Sequence, residues 1–106
     1  MTTYSVVFAP EAEEQLAALY RYIADHASPD VALHYTNAIV AHCEGLNHVP
    51  LRGRRREDIR AGLRITHYKG RAIIAFAVDD AAQVSILGVF YGGQDYETFL
   101  QSDPGA

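Results

Sequence analysis

Two helix starts with almost nothing between them constrain this chain more than any other feature. Pro10 suits a first helical turn, where its missing N–H is no loss, and Glu11, Glu13 and Glu14 set negative charge beside the positive end of the helix dipole. Ala12, Leu16, Leu19, Tyr20 and Ile23 then recur at helical spacing, which predicts one apolar stripe on a helix running to about residue 26. Ser28 follows as a capping residue, Pro29 fits the first helical position, and Asp30 complements the dipole. Ala32, Tyr35, Ile39, Cys43 and Leu46 make a second stripe that ends before Pro50. Helices joined by so short a turn lie roughly antiparallel, as a hairpin. Neither amphipathic helix is stable alone, so both stripes need a shared apolar surface to cover.

The second half of the chain supplies that surface. Leu63-Arg64-Ile65-Thr66-His67-Tyr68 alternates with period two, and Lys69-Gly70 reads as a hairpin turn. Ala72 to Val78 is a continuous apolar run, which suits a central strand covered on both faces. Asp79-Asp80 marks another turn, and Val84 to Tyr91 gives a third strand before Gly92-Gly93. Tyr4 to Phe8 reads as a short opening strand, and Asp95 to Leu100 as a final helical turn. The predicted fold is α+β: an N-terminal strand and an antiparallel helical hairpin packed on a mainly antiparallel sheet. A three-stranded C-terminal meander completes that sheet, with the hairpin on one face.

At 106 residues the chain is read as one domain, 1–106, with no room for an enclosed cofactor cavity. A hydrophobic share of 49% excludes a disordered chain. The single cysteine, Cys43, excludes an internal disulfide and a cysteine-based zinc cage. No apolar stretch approaches the roughly 20 residues that span a bilayer. The opening Met1-Thr2-Thr3-Tyr4-Ser5 lacks the layout of a signal peptide, so a cytoplasmic protein is expected.

Charge is unevenly distributed. Residues 52–71 hold Arg52, Arg54, Arg55, Arg56, Arg60, Arg64, Lys69 and Arg71 against Glu57 and Asp58, a local net charge of +6. The remainder sets Arg21 against eleven acids, a net charge of −10. Such a segment is either a solvated loop or a surface for an acidic partner. Arg60 is read equally as a contact residue or as a planar fork bonding loop carbonyls.

Other chemistry is thinly represented. His34 and His42 stand two helical turns apart with Ala38 between them, so no metal pair is expected. His67 on a strand is read first as a packed or exposed neutral side chain, and second as a general base. Gly92-Gly93 lacks the spacing and the lysine of a phosphate loop.

The order of elements, together with several local motifs, resembles the ParE/RelE superfamily of bacterial toxins, and its ParE branch most closely. The matching residues are Tyr4 to Glu13, Leu19-Tyr20-Arg21-Tyr22-Ile23 and Ser28-Pro29. They continue with Pro50-Leu51-Arg52-Gly53-Arg54, Ile59 to Arg64, Tyr68-Lys69-Gly70-Arg71, and the closing strand with Gly92 and Asp95. The resemblance implies the toxin of a type II toxin–antitoxin pair, neutralised by direct binding of a cognate antitoxin in a hetero-oligomer. It implies a protein-binding inhibitor of DNA gyrase with no chemistry of its own, no cofactor, no metal, no membrane association and no direct sequence-specific DNA binding. On this reading Arg60, Arg64, Arg71 and Tyr91 contact the target, while Leu16, Tyr20, Ile23, Tyr35, Arg54 and Arg60 contact the antitoxin.

Two alternatives stay open at this level. A RelE-like, ribosome-dependent mRNA endonuclease would use Arg64, Arg71, His67 and Tyr91 as catalytic groups, since metal-free RNA cleavage needs proton transfer and cations on the phosphate. A member that only titrates antitoxin is the other. Gly88, Tyr91 and Gln94 stand where ParE relatives often show Arg, His and Arg, and those departures keep it in view.

Overall fold

Ser28 accepts a hydrogen bond from the Val31 N–H through Oγ at 3.1 Å, and with Pro29 next it starts the second helix where the sequence predicts one. The computed structural model describes residues 3–101. Its elements are β1 (Ser5–Phe8), α1 (Pro10–His26), α2 (Pro29–Glu44), a 3₁₀ turn at Gly45–Asn47, β2 (Arg54–Arg55), β3 (Leu63–Tyr68), β4 (Ala72–Val78), β5 (Gln83–Tyr91) and α3 (Tyr96–Gln101). The sheet runs β1-β5-β4-β3-β2, with β1 parallel to β5 and every other pair antiparallel. Among the described residues no helix is long and apolar enough to cross a membrane.

The hairpin lies on one face of the sheet. Ala12 and Leu19 of α1 and Ile39 and Cys43 of α2 pack with Ala72, Ile74 and Phe76 of β4 and Val84, Ile86 and Val89 of β5. The meander's turn also forms as expected. Lys69 (φ 53°) and Gly70 (φ 71°) both take left-handed backbone, the requirement of the tight hairpin turn whose twist matches its strands. The Arg71 N–H closes it on the Tyr68 carbonyl at 3.3 Å.

Three details differ from the sequence reading. The second helix stops at Glu44 and passes into the 3₁₀ turn instead of continuing through Leu46. Arg54 and Arg55, read as loop, form a two-residue edge strand pairing with Ile65 and Arg64. Only their partners define them as strand, since both are exposed and show no alternation. The C-terminal helix α3 covers the sheet face away from the hairpin, where Leu100 packs with Leu63, Ile65, Ala75 and Phe90. A central strand covered on both faces therefore has two different covers.

Cys43 is fully buried on α2. Burial, with Glu44 beside it, pushes its thiol up to about 12. Because the folded value is raised, the thiol's contribution to stability is full below the ordinary value of about 8.5 and declines as pH rises past it. Iodoacetamide at pH 8 should leave Cys43 unmodified in the folded protein and alkylate it in urea. Alkylation of the folded protein at the rate of a free thiol would contradict this placement.

Candidate functional site

The cations of residues 52–71 separate into distinct roles. Arg64 lies on the hairpin side of β3, opposite Phe76, and its Nη1 donates to the Leu51 carbonyl at 2.8 Å. That bond ties down the segment between the 3₁₀ turn and β2. Arg60 donates through Nη2 to the Leu100 carbonyl at 2.9 Å, the carbonyl-bonding fork that its sequence allows. Arg54 and Arg55 stand exposed on the edge strand, with Arg55 only 3.9 Å from Glu57.

Arg56 is the most heavily engaged of them, with its side chain only 15% exposed. Its Nε and Nη2 donate to the two carboxylate oxygens of Asp58 at 3.0 and 2.9 Å, and Nη1 donates to the Tyr96 hydroxyl at 2.8 Å. Nη2 also pairs with Glu97. The guanidinium thereby clamps α3 to the loop before β3. Its hydrogen bond holds the Asp58 carboxyl below its usual range, and the Thr98 hydroxyl does the same for Asp95.

Both carboxyls are depressed, so their stabilisation is present above about pH 4 and lost as pH falls through the folded values. Arg56→Met should free α3, speeding amide exchange over residues 96–101 while β4 stays protected. In the wild type the same segment should lose protection first on acidification. Unchanged protection of α3 in the variant would show that apolar packing alone holds it.

Arg71 and Tyr91 come together. With Gly92 and Gln94 they border a cleft of about 490 Å³, completed by Val89 of β5 and by Gln15, Ala18, Leu19 and Tyr22 of α1. Tyr91 stands edge-on to Tyr35, their ring centroids 5.7 Å apart, and Tyr35 stands edge-on to Tyr68 at 6.0 Å. Burial, then the neighbouring tyrosines, raises the Tyr35 hydroxyl above its ordinary value. Its oxygen is buried without a hydrogen-bond partner among the described residues.

His67 stands apart from this group. It pairs in register with Ile73 and projects from the face away from the hairpin, whereas Tyr91 pairs with Ala72 on the hairpin face. Arg71, Tyr91 and His67 therefore share no site.

The residues expected to meet an antitoxin lie mostly inward. Leu16, Ile23 and Tyr35 are half-buried against the main core, and Tyr20 is also half-buried. Exposed apolar surface on the hairpin comes instead from Tyr22, Val31 and Leu33, each more than half exposed. Tyr22, read as core or rim, stacks on His26 with centroids 4.2 Å apart. No local pattern marks Gln15 as a functional residue. Its role depends on a strand 74 positions away.

The family profile of the ParE toxin of type II toxin–antitoxin systems (parDE) matches residues 6–96. The chain belongs to the ParE toxin family. Among solved structures it is similar to the chromosomal ParDE toxin–antitoxin system from P. aeruginosa. That match has a TM-score of 0.73 and 22% identity, and it covers 84% of this chain and 96% of that one. It is also similar to the toxin–antitoxin complex RelBE2 from Mycobacterium tuberculosis, with a TM-score of 0.61 and 25% identity over 86% of this chain and 100% of that one. Comparison with curated proteins gives no match. The protein is thus a toxin of a type II toxin–antitoxin system, of the ParE/RelE superfamily.

Proposed function

We propose that this toxin acts in the cytoplasm by binding DNA gyrase and stabilising the cleaved complex that gyrase itself creates. A cognate antitoxin would neutralise it by direct binding. One observation carries the choice of binding over chemistry. The four groups that RNA cleavage would need do not converge, since His67 projects from the opposite sheet face to Tyr91 and Arg64 donates to a backbone carbonyl. A general base must lie within hydrogen-bond reach of the proton it takes, and the placement of His67 on the face opposite Tyr91 argues against their acting on one substrate.

Arg71 and Tyr91 are the contact residues proposed for the target. Arg60 and Arg64 would act by shaping the neighbouring backbone. The antitoxin is proposed to cover the exposed Val31 and Leu33 of α2 together with the cationic edge at Arg54. An amphipathic segment with acidic residues suits that surface, ordering as it binds.

Induced expression without antitoxin tests this reading, with DNA synthesis and protein synthesis followed side by side. A gyrase poison stops DNA synthesis first, and co-expressed antitoxin restores growth. Protein synthesis failing first would identify an mRNA endonuclease instead. Normal growth at verified soluble expression would leave a chain that only titrates antitoxin.

A further inference from the structure

β1 pairs with β5 only as far as Ile86, so the far half of β5 has an edge without a neighbouring strand. Two glutamines occupy the N–H groups that emerge there. Gln15 accepts from the Val89 N–H through Oε1 at 2.7 Å, and Gln94 accepts from the Tyr91 N–H through Oε1 at 2.8 Å. With its oxygen turned to a backbone N–H in this way, each glutamine keeps its NH₂ group available to donate. Both glutamines line the cleft, and so does Arg71. Among the described residues no hydrogen bond or ion pair engages the Arg71 guanidinium. Among the described residues no carboxylate lines the cleft, and Leu19 and Val89 give it apolar walls.

We propose that this cleft binds a single carboxylate side chain, presented between apolar residues by an acidic peptide segment of a protein partner. Planar amide and guanidinium donors suit a planar carboxylate, and charge-assisted bonds of this kind are the strong ones. The surroundings argue against a nucleic-acid strand. Among the described residues Arg71 is the one cation in the lining, and the α1 stripe through Gln15, Ala18 and Tyr22 continues to Glu11 at one end and Asp25 at the other. A polyanion would meet those two carboxylates, whereas one side chain flanked by apolar neighbours would not.

The proposal rests on the reading that the toxin acts by binding proteins, but its test uses neither gyrase nor antitoxin. Isotope-labelled toxin is titrated with a blocked pentapeptide carrying one glutamate between two leucines. Its glutamine twin and an adenylyl dinucleotide are titrated separately, following the side-chain N–H resonances of Gln15, Gln94 and Arg71. The glutamate peptide should shift all three saturably and bind about tenfold more tightly than its twin. Arg71→Gln should remove that difference while leaving the backbone spectrum folded.

Equal binding of the two peptides would overturn the proposal, leaving an apolar groove. Absence of any shift would also overturn it, as would tighter binding of the dinucleotide. A failure here leaves the growth-arrest experiment unaffected, so the two readings fall separately.

Discussion

Replacing Phe76 with alanine should lower the unfolding free energy by about 3–5 kcal/mol. Phe76 sits in the middle of the central strand, fully buried, paired in register with Arg64 on one side and Ile86 on the other. It belongs to the cluster through which both helices of the hairpin meet the sheet. Its removal leaves a void within that cluster, and closing it requires the hairpin to move toward the sheet. A small domain has a total stability of only about 5–15 kcal/mol, so this one change removes a large share of it. Urea denaturation would read the loss as a lower midpoint at unchanged slope. A loss below about 1 kcal/mol would show that the hairpin collapses readily onto the sheet, against the packing described here.

The second large effect is expected at Gly88, in the irregular stretch where β5 gains a residue relative to β4. A Cβ added at Gly88 would lie 2.6 Å from Cε2 of Phe90 and 3.2 Å from the Gln15 amide oxygen. Ring ends can often swing aside, but Phe90 is 4% exposed and contacts the rings of Tyr96 and Phe99. Gly88→Ala should therefore cost about 1–3 kcal/mol by overpacking. Gly88→Arg should cost more, because it also displaces Gln15 from the Val89 N–H. An arginine at this position would fit only with Gln15 and Phe90 rearranged. Thermal melts check the stability, and faster exchange of the Val89 amide would report the lost glutamine bond. Wild-type melting of Gly88→Arg would contradict the account of this edge.

How much of this was legible in the sequence depends on the range over which each feature is encoded. Ser28-Pro29-Asp30 and Lys69-Gly70 act within a turn of chain, through a cap and a pair of left-handed residues, and both could be read directly. The apolar run of β4 announced a strand buried on two faces. It did not say that the second cover is α3, because that helix is held by Arg56 across 40 positions or more. The resemblance makes Arg60 and Arg64 contact residues, and the planar fork of Arg60 equally allows a bond to loop carbonyls. That the carbonyls are those of Leu100 and Leu51 is tertiary and leaves no local trace. Of the four cleavage candidates, Arg71 and Tyr91 do meet. His67 went to the other face because side chains alternate along β3, and the register of that strand could not be fixed from composition. The donor groups of Gln15 and Gln94 depend on where β1 stops pairing, which is a property of the sheet and not of either glutamine.

The central proposal, that this ParE-family toxin works by binding gyrase, is tested most directly by incubating the purified protein with gyrase and plasmid DNA. Supercoiling and the cleavage complex are then resolved on one gel. Loss of supercoiling with accumulated linear DNA, reversed by antitoxin and weakened by Arg71→Gln, is the predicted result. Unimpaired supercoiling at micromolar toxin, with no linear DNA, would contradict it.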